Sequence, residues 1–190
     1  MRHGKWIFVV LLASSLSSFV DKGKSTGGLN VGDVAPDIDI EPTSNKANNA
    51  DFSLSDVKGK YVLLSFWASY DAQSRMQNIK MSNVLKSTDL SIEMVSISFD
   101  EFSSIYKETL RIDNINTSNC YLVPDGNKST IYKTYKLDRG FKNYLLDEDG
   151  VIIAKDITAA ELPTLLRMAS SYYTDARALK REGYNLRVKI

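Results

Sequence analysis

The 190-residue chain has one histidine and one cysteine, and each scarcity removes a body of chemistry. The histidine is His3, inside a segment that reads as a targeting signal. Without that segment no imidazole is left for a Ser/His/Asp triad, a Cys–His pair or a histidine metal site. The cysteine is Cys120. A single thiol makes no internal disulfide and no thiolate zinc site. A cationic excess is missing too. Lys and Arg number 24 against 23 Asp and Glu, a net charge of +1, so composition carries no footprint for nucleic acid. Near the N-terminus the apolar run from Trp6 to Ala13 is too short for a membrane-spanning helix. No cofactor and no metal ion are expected.

What is present divides the chain into four parts. Residues 1–18 have the layout of a secretory signal: a basic start at Arg2 and Lys5, the apolar run, then Ser14, Ser15, Ser17 and Ser18. The other readings are a buried N-terminal strand or an uncleaved anchor. Phe19 and Val20 stand where a lipoprotein signal would need cysteine. Cleavage near Ser18 would remove two cations and no acid, leaving a net charge of −1. Residues 19–30 form a polar, glycine-rich leader of flexible type. A compact domain is expected over 31–169 and an extension over 170–190. The protein is expected to be periplasmic or otherwise exported. Membrane contact is expected only through the signal segment if it stays uncleaved.

Within the domain, Tyr61 to Trp67 is a continuous apolar run that suits a strand buried on both faces. Asp71 to Leu85 reads as a helix with Ala72, Met76 and Ile79 on one stripe. Leu90 to Phe99 reads as a strand. Glu101 to Ile112 reads as a helix with Phe102, Ile105, Tyr106 and Leu110 on one face. A short strand at Asn119–Val123 and a short helix around Ile131, Tyr132 and Tyr135 follow. Tyr144–Leu146 and Val151–Ala154 flank Asp147-Glu148-Asp149-Gly150, a turn signal for a hairpin. Turn chemistry explains those acids better than a metal loop does. Leu162, Leu165, Leu166 and Ala169 mark a last helix, with Thr158 and Glu161 as its capping box and Pro163 in its first turn. This order predicts an α/β fold with a central mixed sheet and helices on both faces.

Val31-Gly32-Asp33-Val34-Ala35-Pro36, Phe52-Ser53-Leu54-Ser55-Asp56, Val62–Ser69, Ser96–Asp100 and Tyr144–Gly150 follow one another in an order that resembles the thioredoxin-like family. This is the TlpA/ResA and AhpC/TSA group of periplasmic thiol-disulfide oxidoreductases and peroxiredoxin-type proteins. The resemblance covers roughly residues 31 to 169 and implies a thioredoxin fold. It also implies a Trp-Cys-x-x-Cys sequence after the first core strand and a cis-proline before the late hairpin. Here the first place reads Tyr70-Asp71-Ala72-Gln73-Ser74. Asp71 takes the nucleophilic cysteine position, Ser74 the resolving one, and Phe141 the proline position.

Asp71 would sit at a helix N-terminus, where partial positive charge and free N–H groups favour an anion. A carboxylate there forms no mixed disulfide, and Ser74 resolves none. Two readings of Asp71 stand: a structural cap, or a carboxylate with a ligand-binding or catalytic role. Cys120, between Asn119 and Tyr121, reads either as a small buried hydrophobe or as a residual thiol site. A peroxidatic cysteine would follow the first strand within a threonine-bearing loop, and that motif is missing. Tyr70 and Phe141 would flank the former active site, as an apolar groove or with Phe141 filling the space of the proline ring. The extension from Arg167 onward is basic and reads as a solvated face or a weak anionic-surface contact. Together these imply a redox-inactive thioredoxin-like module of the cell envelope, binding an envelope protein or peptide, or serving assembly. The alternative is a thiol-disulfide oxidoreductase or peroxidase using Cys120 with an external thiol.

Overall fold

The computed structural model describes residues 28–41, 51–87, 92–116, 118–123 and 125–169. The signal segment, most of the leader and the 170–190 extension expected from the sequence lie outside the described residues. The elements, in chain order, are β1 (Asp39–Ile40), β2 (Phe52–Ser53), β3 (Tyr61–Trp67), α1 (Ala72–Lys86) and β4 (Ile92–Ser98). Then come α2 (Ser103–Ile112), β5 (Cys120–Leu122), α3 (Thr130–Thr134), β6 (Asn143–Leu146), β7 (Ile152–Lys155) and α4 (162–169). No helix among the described residues is long and apolar enough to cross a membrane.

Five strands form one sheet in the order β5-β4-β3-β6-β7. β3 pairs in parallel with β4, and β4 with β5. β6 runs antiparallel to β3, and β7 antiparallel to β6. β3 is central because its sequence is apolar on both faces. Val62, Leu64 and Phe66 enter one core with Val95, Ile97, Tyr135 and Tyr144. Leu63 packs on the other face with Met81, Leu145, Leu162 and Leu166, and Trp67 with Tyr106 and Leu110. Each such side chain, fully buried, contributes about 1.5–3 kcal/mol relative to exposure. α1, α2 and α4 therefore cover one face, and α3 with the β1–β2 pair covers the other. This is the mixed sheet with helices on both faces that the element order predicts.

The Val31–Pro36 segment pairs with the far edge of the sheet. Gly32 N–H donates to the Ile152 carbonyl at 2.8 Å and Ile152 N–H to the Asp33 carbonyl at 2.9 Å. The hairpin closes through Asp147, whose Oδ1 accepts from the N–H groups of Asp149 and Val151 at 2.9 Å each. Gly150 sits there at φ +80°, a conformation glycine adopts without a Cβ clash. At the start of α4, the Glu161 carboxylate accepts from the N–H and the hydroxyl of Thr158, both at 2.8 Å. The Thr158 hydroxyl thus points to the carboxylate, so half of the expected capping box is formed.

Two helix faces differ from the sequence expectation. Of the expected apolar stripe of α1 only Ile79 meets the core, half-buried against the Trp67 cluster, while Ala72 and Met76 are exposed, Met76 by 50 %. The buried side chains are Ser74, Asn78, Met81 and Ser82. The reason lies in the sheet beneath, where Ser65, Ser96 and Ser98 face the helix. Trp67 Nε1–H donates to Ser96 Oγ at 2.8 Å, and that hydroxyl donates to Asn78 Oδ1 at 3.0 Å. A polar strip on the sheet selects the polar side of the helix. In α2, which begins at Ser103, Tyr106 and Leu110 are buried, but Phe102 and Ile105 are exposed. A single layer of contact to Trp67 and Cys120 covers one stripe of this helix and leaves the second bare.

Candidate functional site

β3 ends at Trp67, and the chain turns through residues 68–71 into α1. The turn closes with Asp71 N–H on the Ala68 carbonyl at 3.2 Å. Asp71 has extended backbone angles, and its Oδ1 accepts from Ser74 N–H at 2.7 Å, the geometry of an N-cap. Its carbonyl accepts from Arg75 N–H at 3.0 Å. Ser74 is buried in the same turn. Its hydroxyl donates to the Asp71 carbonyl at 3.2 Å and accepts from Ala68 N–H at 3.4 Å. Both side chains are thus engaged with the helix start. The 15-residue helix above them aims its positive end at the Asp71 carboxylate.

Beside this turn a row of rings climbs from core to solvent. Phe66 meets Phe99 at 5.9 Å, Phe99 stacks on Phe141 at 5.8 Å, and Phe141 meets Tyr70 at 6.3 Å. Tyr132 stands edge-on to both Phe99, at 5.4 Å, and Phe141, at 6.3 Å. Tyr70, at the outer end, is 69 % exposed. Partial burial, and then the neighbouring Tyr132, Asp100 and Asp71, push its phenol above the usual range. Phe141 follows Gly140, whose φ of +108° turns the chain where a Cβ would be strained.

Tyr70, Asp71, Ser74 and Phe141 therefore share one end of the sheet, the end where β3 and β4 terminate. Cys120 does not join them. It opens the edge strand β5, in register with Ser96 of β4, which is itself in register with Ser65 of β3. Two strand spacings make about 10 Å between Cys120 and Ser65, and Asp71 lies six residues further along the chain. The thiol is 3 % exposed, packed with Tyr106, Leu110 and Ile115, and donates to the Asn116 carbonyl at 3.1 Å. Burial pushes it up to about 11, against a smaller lowering by the Ser96 hydroxyl.

One residue of the Ser96–Asp100 stretch, read from the sequence only as part of a strand, belongs to the site. Asp100, two residues beyond β4 and 3 % exposed, accepts from Ser69 N–H at 2.9 Å and from the Ser69 hydroxyl at 2.5 Å. Its other oxygen accepts from the Ser98 hydroxyl at 2.8 Å. This buried carboxylate holds the turn that presents Tyr70 and Asp71. The available signal was the alternation of Ser96 and Ser98 in β4 with Asp100 just beyond it, polar positions at a spacing of two. Among the described residues no three His, Cys, Asp or Glu side chains are grouped to hold a metal ion.

The sequence model of the AhpC/TSA family matches residues 31–155, from the Val31–Pro36 motif to the end of β7. The chain belongs to the AhpC/TSA family. Within this family setting it is 24% identical over 148 residues to the thiol-disulfide oxidoreductase ResA of Oceanobacillus iheyensis, covering 77% of this chain and 75% of that one. It is 26% identical over 153 residues to the thioredoxin-like protein YneN of Bacillus subtilis, covering 78% and 86%. A solved thioredoxin-like protein from Parabacteroides distasonis is 38% identical, with a TM-score of 0.63 over 76% of this chain and 99% of that one. The thioredoxin-like fold is thereby established. In this AhpC/TSA chain the single cysteine lies on the edge strand, away from the helix end where the resemblance puts a dithiol.

Proposed function

We propose that this chain is a redox-inactive, thioredoxin-like binding module of the cell envelope, holding a protein or peptide segment against the Tyr70–Phe141 surface. The observation that carries this reading is the state of the two former sulfur positions. Asp71 and Ser74 are both engaged in starting α1, and neither can exchange a disulfide. Cys120 gives no substitute, because a buried thiol pushed up to about 11 is almost wholly protonated at neutral pH. The signal-like order of residues 1–18 supports export.

The test is insulin reduction in the presence of dithiothreitol, together with peroxide consumption. The full chain should accelerate neither above the thiol alone, and Cys120→Ser should behave as the unaltered protein does. A rate proportional to protein concentration and abolished by Cys120→Ser would establish the alternative, a thiol enzyme working through Cys120. For the binding half, Phe141→Ala should reduce recovery of envelope proteins on the immobilised chain. Equal recovery would argue against this surface.

A further inference from the structure

Where β3 and β4 begin, at the end of the sheet opposite Asp71, a cavity of about 450 Å³ opens between α1 and the link from α2 to β5. Its floor is Ile92, Met94 and Ser96, alternate residues of β4 that share one face. Ser82, Leu85 and Lys86 of α1 form one wall, and Ile115 stands in the other. The volume falls within the range of small-molecule sites, about 300–1,000 Å³.

Three polar side chains of α1 lead from the core to the mouth of this cavity. Asn78, Ser82 and Lys86 are spaced by four residues and share a helix face. Asn78 Oδ1 accepts from Ser96, while its N–H2 is buried without an acceptor among the described residues. Ser82 is 8 % exposed and lines the cavity, and its hydroxyl makes no hydrogen bond among the described residues. The serines of the sheet thus account for Asn78 but not for Ser82. A hydroxyl so buried gains from any oxygen that enters the cavity. At the mouth, Lys86 is exposed and donates to the Asn114 carbonyl at 2.9 Å, and no acid pairs with it among the described residues. The other charges there are matched, since Glu93 accepts from Lys60 at 2.6 Å and from Asn119 at 3.2 Å. The lining therefore carries one uncompensated positive charge.

We propose that this cavity binds a short oxo-carboxylic acid. The carboxylate would face Lys86, the hydrocarbon chain would lie on Leu85, Met94 and Ile115, and the carbonyl would accept from the Ser82 hydroxyl. Ser82 and Asn78 both have hydrogens to donate, which favours an oxygen that only accepts. One helical turn, about 6 Å, separates the two anchors along α1 and sets the distance between the two oxygen functions. The site is independent of the Tyr70–Phe141 surface.

Titration of the full chain, followed by the NMR methyl signals of Met94 and Ile115, tests this with three compounds: 6-oxoheptanoate, heptanoate and heptan-2-one. The oxo acid should shift both signals saturably, with a Kd in the millimolar range or below. It should bind about fivefold more tightly than heptanoate and about threefold more tightly than heptan-2-one, the second difference shrinking with salt. Ser82→Ala should abolish the preference over heptanoate, and Lys86→Ala the preference over heptan-2-one. Lys86→Arg should keep it. Alanine favours a helix and Lys86 is exposed, so these variants keep the fold. Absence of shifts at Met94 and Ile115 with millimolar 6-oxoheptanoate would overturn the proposal. So would equal affinities for the three compounds, or preferences that survive both alanine substitutions. None of these outcomes bears on the insulin assay or on recovery of envelope proteins by the Tyr70–Phe141 surface.

Discussion

Ser69 and Asp100, 31 residues apart in sequence, are joined twice: one carboxylate oxygen accepts from both the N–H and the hydroxyl of Ser69. This tie fastens the exit of β3 to the exit of β4. Asp100→Ala would leave a backbone donor and the hydroxyls of Ser69 and Ser98 without their acceptor. The expected cost is about 1–3 kcal/mol, read as a lower urea midpoint at unchanged slope. Asp100→Asn keeps an acceptor for Ser69 and should cost less. Equal losses in the two variants would assign the stabilisation to the negative charge instead of to the hydrogen bonds.

Asp71 should be worth roughly 1 kcal/mol as a helix cap. Asp71→Ala should lower stability by about that amount, while Asp71→Ser, which retains a side-chain oxygen for Ser74 N–H, should stay within a few tenths of the unaltered protein. Thermal unfolding by circular dichroism measures both. An alanine variant as stable as the serine variant would show that the Asp71–Ser74 bond does not stabilise the fold.

The helix end is also expected to accept sulfur again. In the double substitution Asp71→Cys with Ser74→Cys, the residue-71 thiol meets the same N–H groups and the same dipole that now face the carboxylate. Its alkylation rate should titrate below the free-thiol value of about 8.5, and the pair should oxidise with glutathione disulfide. A titration at or above that value would mean that the local field has been lost along with the cysteines.

The buried thiol makes a prediction of the opposite sign. Burial raises the Cys120 thiol from the free-thiol value of about 8.5 to about 11 in the fold. Between those values the folded state holds more protons than the unfolded state, so stability falls as pH rises through this window and is fully present below it. Cys120→Ala should remove that part of the alkaline loss. Iodoacetamide at pH 8 should modify the native chain far more slowly than the chain in denaturant. Equal rates would place the thiol in solvent.

Most of the sheet was legible because its signals are local. The run from Tyr61 to Trp67 marks a strand buried twice over, and the Asp149-Gly150 turn fixes the hairpin. The seat of α1 was not legible. Ala72 and Met76 look like part of a buried stripe with Ile79 until one knows that Ser65, Ser96 and Ser98 lie beneath the helix, and only the strand register reveals that. Asp100 escaped for the same reason, since its partner Ser69 belongs to another strand exit. Tyr70, Asp71, Ser74 and Phe141 could be placed together because the resemblance carries the spacing of the turn and the hairpin.

The mixed lining of α1 implies a gradient of anchorage along a single helix. Its C-terminal half is set in hydrocarbon through Met81, Val84 and Leu85. Its N-terminal half rests on Ser74 and Asn78, and the Asn78 side-chain N–H2 is buried without a hydrogen-bond acceptor among the described residues. Amide hydrogens in the first two turns should accordingly exchange through openings that leave the rest of the sheet closed. An opening of the end that carries Asp71 would have to release the Arg75–Asp113 ion pair and the Gln77 bond to the Ile157 carbonyl, so these two side chains, and not hydrocarbon, would set how often the first turns exchange.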